Sequence, residues 1–238
     1  MATVSNVNMS LPHLQTLHCD QFSQVAITFV AWHPSLTELD ISIPSGLPYN
    51  LPQFPHPTLP RLPPFAQIKS FGINSVRLTT ISAFIKAIQS SPSHLRIATS
   101  QASSPEDLEG FFILSRLREL HLLTGNPIRV FSTMGDSWPD LEVINLNDGY
   151  AEADPPTTTL RGLILLVNKC SLLRRAHLAI NMNVLEEIEE RPVPILGAKY
   201  LVLANTVVKN PRAVAFVFSL VFPKVKKVDG VDSDIWTR

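Results

Sequence analysis

An α/β solenoid, with short parallel strands alternating with helices along one coil, is the fold class this sequence predicts. Three observations predict it. Leu117-Arg-Glu-Leu120-His-Leu122 puts apolar residues at the first, fourth and sixth places. The last two of these alternate as in a short strand, so Leu120 and Leu122 share one face while Glu119 and His121 take the other. The same spelling returns along most of the chain. Helix signals fill the segments between its copies.

Copies start at Leu14, Leu36, Ile68, Leu95, Leu117, Leu141, Leu173, Ala198 and Val225, in steps of 22, 32, 27, 22, 24, 32, 25 and 27 residues. The copies at Leu95 (with Ala98 and Ser100) and Val225 (with Val228 and Gly230) are degraded. Leucine-rich repeats have periods of roughly 20–29 residues, each unit a strand and a helix. The two steps of 32 read as loop insertions. Parallel strands joined by helices make right-handed crossovers. Short units then give an irregular horseshoe, with strands on the concave face and helices on the convex face. Asparagine at the ninth place, which stabilises the turns of many such repeats, occurs in register only at Asn181; Asn126 and Asn205 are near but out of register.

Residues 1–10 read as a flexible polar tail, and residues 11–238 as a single domain. Within it, eight prolines between Pro44 and Pro64 exclude helix and ladder and predict a long outer loop at 44–64. The spacings Pro52-x-x-Pro55 and Pro57-x-x-Pro60 leave a proline-recognition docking reading open.

Helix signals follow in order. Val25–Trp32 is an apolar return segment. Ser82–Gln89 carries Phe84, Ile85 and Ile88 on one stripe. Ser104-Pro105-Glu106-Asp107 has a capping serine, a first-turn proline and acids near the positive dipole end. Asn126-Pro127 opens a helix to about Met134. Thr159–Asn168 is the strongest, with Leu160, Leu163, Ile164 and Val167 inward. Val184–Glu190 carries a solvated acidic face. Asn210-Pro211 starts the last helix, which Phe222-Pro223 stops. Trp236 is placed to cover the final unit.

Composition narrows the function. Formal net charge is zero, so no global field draws the chain to nucleic acid or acidic membranes. Cys19 and Cys170 match no zinc or disulfide pattern, which favours an intracellular setting. Met1–Ser10 lacks a secretory signal. The longest apolar run, Ala213–Phe222 broken by Ser219, is too short to span a bilayer. Gly135-Asp136-Ser137-Trp138-Pro139 departs from a nucleophile elbow at its last place. No phosphate loop, dinucleotide fingerprint or paired-histidine zinc helix occurs. The expectation is a non-enzyme with neither cofactor nor metal; an enzyme with an unrecognised site is the remote alternative.

Leu14–Leu17, His33-Pro34-Ser35-Leu36-Thr37-Glu38-Leu39, Leu117–Leu122, Trp138-Pro139-Asp140-Leu141 leading to Leu146, Leu172–Ile180 and Phe222-Pro223-Lys224-Val225 carry a resemblance. Over residues 10–230 the chain resembles the C-terminal leucine-rich-repeat region of fungal F-box proteins, where a Pro or Ser before the first leucine of a strand is common. The resemblance implies repeats that hold a substrate for a cullin–RING ubiquitin ligase. No F-box precedes the first strand at Leu14, so docking to the ligase adaptor is expected only if one is restored upstream. A free-standing repeat scaffold is the alternative.

Outward strand places are the candidate protein-binding surface. They carry Glu38, Asp40, Glu119, His121, Asn145, Arg175, His177, Tyr200 and Lys227. His18, His121 and His177 share the fifth place, too far apart to hold one metal. Glu38, Asp40 and Glu119 lie in the first half, and Arg175, Lys226 and Lys227 in the last third, which predicts a target of complementary bipolar charge.

Overall fold

The computed structural model describes residues 11–20, 24–43, 65–88, 90–99, 105–123, 131–146, 159–182, 194–203 and 211–230. The N-terminal tail, the proline-rich 44–64 segment, the acidic run after Val184, Asn126, Asn205 and Trp236 lie outside the described residues.

The strands are β1 (Thr16–Cys19), β2 (Glu38–Ile43), β3 (Ser70–Ser75), β4 (His94–Thr99), β5 (Glu119–Leu123), β6 (Val143–Leu146), β7 (Arg175–Leu178), β8 (Tyr200–Leu203) and β9 (Lys227–Gly230). They form one nine-stranded sheet in sequence order. Every neighbouring pair is parallel. A parallel neighbour forces the chain to travel back before each new strand. The described return segments are α1 (Gln24–Ala31), α2 (Leu78–Ile88), a 3₁₀ helix (Pro105–Phe111), α3 (Phe131–Ser137), α4 (Leu160–Lys169) and α5 (Pro211–Val221). Neighbouring returns touch in the same order as the strands: α2 packs on the 3₁₀ helix, and α3 on α4.

The register explains the repeat spelling. Fourth-place residues Leu39, Phe71, Leu95, Leu120, Ile144, Ala176 and Leu201 stand side by side across the sheet. All seven are buried, as are Ile41, Ile73, Ile97, Leu122, Leu146, Leu178 and Leu203 of the sixth row. One apolar cluster runs from Ile27 to Phe222 and takes its other half from the returns, including Ile81, Phe84, Leu163, Val214 and Trp138. Burial falls off at both ends: Leu14, Leu17 and Cys19 on one side, Val225 and Val228 on the other, are only partly buried.

A turn precedes most strands. Leu14, Ile68, Leu117, Leu141, Leu173 and Val225 each donate N–H to the carbonyl three residues earlier. Pro12, Pro139 and Pro223 occupy the second position of three of these turns, where the fixed φ of proline is already correct. The second-place carbonyl of one unit then accepts two N–H groups from the next unit: Gln15 from Thr37 and Glu38, Thr37 from Lys69 and Ser70, and so on to Arg174 from Lys199 and Tyr200. This bifurcated step ties the strand starts together before the ladder begins.

The structure corrects several expectations. Leu95 pairs with Phe71 and Leu120, so it is a fourth-place residue, and the copy begins at Pro92, three residues earlier than expected. Buried Pro92 fills the first place that Leu, Ile, Ala or Val fills elsewhere, and because proline is not part of the apolar spelling, the pattern in the letters passes on to Leu95. The true steps there are 24 and 25 residues, more regular than the expected 27 and 22. α2 begins at Leu78, four residues before Ser82. The segment from Pro105 forms a 3₁₀ helix. α3 is described only from Phe131, and it runs past Gly135 to Ser137. In α4 it is Leu166 that is fully buried beside Leu160, Leu163 and Val167, and Ile164 is only partly so. The cap of α4 is as expected: Thr159 Oγ1 accepts from Gly162 N–H at 3.3 Å. Among the described residues, no helix is long and apolar enough to cross a membrane.

Candidate functional site: the outward face of the sheet

Side chains of a strand alternate, so the register that buries rows four and six turns rows three and five outward. Across β1–β9 the third row reads Thr16, Glu38, Ser70, His94, Glu119, Val143, Arg175, Tyr200, Lys227. The fifth row reads His18, Asp40, Gly72, Arg96, His121, Asn145, His177, Val202, Asp229. All nine expected site residues fall on these rows, and all are exposed or half-exposed. They do not converge on one point. Glu38 and Lys227 are seven strands apart, about 34 Å at the usual strand spacing.

Three local groups form instead. On β1 and β2, His18 Nδ1 lies 3.7 Å from Asp40 Oδ2, and the Thr16 hydroxyl donates to Glu38 Oε2 at 3.3 Å. Gly72 belongs to this group, because a Cβ there would come within 2.6 Å of the Asp40 carboxylate. On β4 and β5, His94 Nε2 lies 3.6 Å from Glu119 Oε1, with Arg96 beside His121 in the next row. On β7–β9, the Arg175 guanidinium sits 5.9 Å from the centre of the Tyr200 ring, and Lys227 Nζ reaches Asp229 Oδ2 at 2.8 Å. Asn145 stands between His121 and His177 in the fifth row.

His94 and Arg96 were absent from the sequence-derived surface because the misplaced fourth copy hid their outward places. Their presence corrects the simple charge gradient: a guanidinium and an imidazole interrupt the acidic half. Of the second row, at the strand starts, sequence reasoning named only Lys226 and missed Arg118, Glu142, Arg174 and Lys199. There the Glu142 carboxylate, only 8% exposed, bridges the guanidinium groups of Arg118 and Arg174 on the units either side. The signal was in the sequence as Arg-Glu-Arg at the same place of three successive copies.

Ser93, His94 and Glu119 line up as a hydroxyl, an imidazole and a carboxylate, with Ser93 Oγ 2.8 Å from His94 Nδ1. The Ser93 hydroxyl donates to the Lys69 carbonyl at 3.3 Å. Which atom donates in the Oγ–Nδ1 contact follows the tautomer of the imidazole, and either way the contact holds the ring beside Glu119. Among the described residues no group of three His, Cys, Asp or Glu side chains is placed to hold a metal. Neither Cys19 nor Cys170 is joined in a disulfide. Cys170 lies under the sheet, its thiol donating to the Trp138 carbonyl at 3.3 Å, and burial pushes its pKa up to about 11. A thiol so placed is a packing group.

No family model, no curated protein and no solved structure matches this chain.

Proposed function

We propose that the chain is a leucine-rich-repeat solenoid that recognises another protein with the outward face of its sheet, inside the cell, without enzymatic activity of its own. In this reading the crossovers are right-handed, the strands line the concave side and the helices the convex side. The role is similar to that of the substrate-binding repeats of an F-box ubiquitin ligase subunit.

One observation carries the binding half of the proposal. Wholly parallel sheets are normally covered on both faces; among the described residues this one buries a single face, and the opposite rows, buried Gly72 excepted, stay exposed or half-exposed over nine strands. That face measures roughly 38 Å across the strands and 15 Å along them, about 600 Å². A partner in a standard protein interface buries ~800 Å². The surface therefore suits a protein and is far larger than a small molecule needs. Its chemistry agrees: alternating charge, imidazole and a tyrosine carrying a guanidinium offer directional contacts, the kind that select partners by complementarity. No row presents the continuous basic track that a polynucleotide requires.

A photo-crosslinking amino acid placed at Val143 or Tyr200 should yield covalent adducts with a partner protein in extracts of the source cells. The same probe at Leu165, on the exposed side of α4, should yield few. Adducts confined to Leu165 would overturn the reading. For the ligase half, the chain is fused behind an F-box. It should then direct ubiquitin onto the protein trapped from Tyr200, and failure to do so sinks that half alone.

A further inference from the structure

The C-terminal corner of the sheet concentrates positive charge beyond anything the composition requires. Arg174, Lys199 and Lys226 occupy the second place of the last three units. They are linked by backbone bonds, Lys199 N–H to the Arg174 carbonyl at 3.0 Å and Lys226 N–H to the Lys199 carbonyl at 2.9 Å. Arg175, Tyr200 and Lys227 form the adjoining third row. All six residues are exposed. The formal charge of the whole chain is zero, so five cations at one corner are a segregation.

Among the described residues the local carboxylates do not balance them. Glu142 is shared between Arg174 and Arg118, and Asp229 pairs with Lys227. Among the described residues neither Lys199 nor Lys226 has an ion-pair partner. Like charges one strand apart repel. Tyr200 holds the Arg175 guanidinium over its ring, 5.9 Å from the centre, which limits the freedom Arg175 would lose on binding.

We propose that this corner seats a short acidic segment of a partner polypeptide, a run of Asp or Glu side chains lying across the starts of β7, β8 and β9. The proposal rests on the reading of the sheet face as a protein-binding surface and names the chemistry of one part of its target. The size fits. Three strands span about 10 Å, and same-side side chains of an extended peptide are about 7 Å apart, so four or five residues cover the corner. A nucleic-acid strand fits less well, because its phosphates would continue toward the carboxylates of Glu119, Asp40 and Glu38.

Fluorescence anisotropy with a labelled deca-glutamate peptide tests the assignment, with a deca-lysine peptide and a ten-nucleotide single strand as comparison probes. Deca-glutamate should bind, deca-lysine should not, and raising salt from low to about 0.5 M should weaken binding at least about tenfold. The Lys199→Glu/Lys226→Glu protein should lose at least about tenfold in affinity, and Lys199→Gln/Lys226→Gln should fall between it and the parent. Lys69→Glu/Arg116→Glu, the same charge change on exposed residues elsewhere, should stay within about twofold. Absence of deca-glutamate binding, equal loss in both charge-reversed proteins, or tighter binding of the oligonucleotide would overturn the assignment. Crosslinking from Val143 and Tyr200 without any deca-glutamate binding would remove this inference and leave the interaction module standing. Absence of crosslinking removes the module reading itself.

Discussion

The two faces of the sheet obey different rules. The buried rows of β2–β8 are chemically uniform: apart from one alanine, every fourth- and sixth-place side chain is Leu, Ile or Phe. The outward rows of the same strands hold acids, bases, imidazoles, a glycine, a tyrosine and two valines. One face is constrained by transfer from water and by close packing, which admit few residue types. The other faces solvent, where most side chains cost little, so its particular composition is free to serve recognition. Folding and function thus occupy opposite sides of one set of residues.

Breaking the buried side should have the largest effect. Trp138 is fully buried, lies tilted against Phe112 with ring centres 5.5 Å apart, and its indole N–H donates to the Phe111 carbonyl at 3.2 Å. Trp138→Ala should lower unfolding free energy by about 3–5 kcal/mol, and Leu120→Ala by about 2–5, in urea titrations. Glu119→Ala, one residue from Leu120 on the opposite face, should change it by less than ~0.5 kcal/mol.

The edge where the strands start lies between these extremes. Glu142→Gln leaves the Arg118 and Arg174 guanidinium groups without a carboxylate, but both are more than half exposed and water takes over. The expected loss is about 1–2 kcal/mol, below the 3–5 of a fully buried pair. Removing the helix cap with Thr159→Ala should cost about 1 kcal/mol.

The last effect appears only in alkaline solution. The folded pKa of Cys170 is raised from 9.0 to about 11 by burial, with Asp136 adding to the shift. Its contribution to stability is fully present below pH 9.0 and is lost as pH rises through about 11, because the unfolded chain releases this proton first. Cys170→Ala should flatten that decline in thermal melts between these limits. In the folded protein Cys19, half-exposed on β1, should react with a thiol reagent well before Cys170.

Much of this was legible in the sequence because burial on one face leaves a period of two that letters record. Eight of the nine strands fall where the apolar spelling puts them. The exception, β4, came from a physical substitution: Pro92 serves as the buried first-place residue, and a proline reads as a loop signal. That one slip hid His94 and Arg96, since a shift of register moves residues off their face. The second row, Lys226 apart, escaped for a different reason. Its places lie just before the strands, where backbone bonding to the preceding unit sets their position, and no hydrophobic pattern marks it. Helix starts were off by up to four residues where no cap announces them, as at Leu78, and correct where a side chain does, as at Thr159.

The division of labour between the faces is tested most directly by one protein carrying Glu119→Lys, His121→Ala and Arg175→Glu. Its thermal unfolding and its photo-crosslinking from Tyr200 are followed side by side. Its melting temperature should stay within a few degrees of the parent, and most of the adduct should be lost. A large fall in melting temperature, or an undiminished adduct from a fully folded protein, would contradict that division.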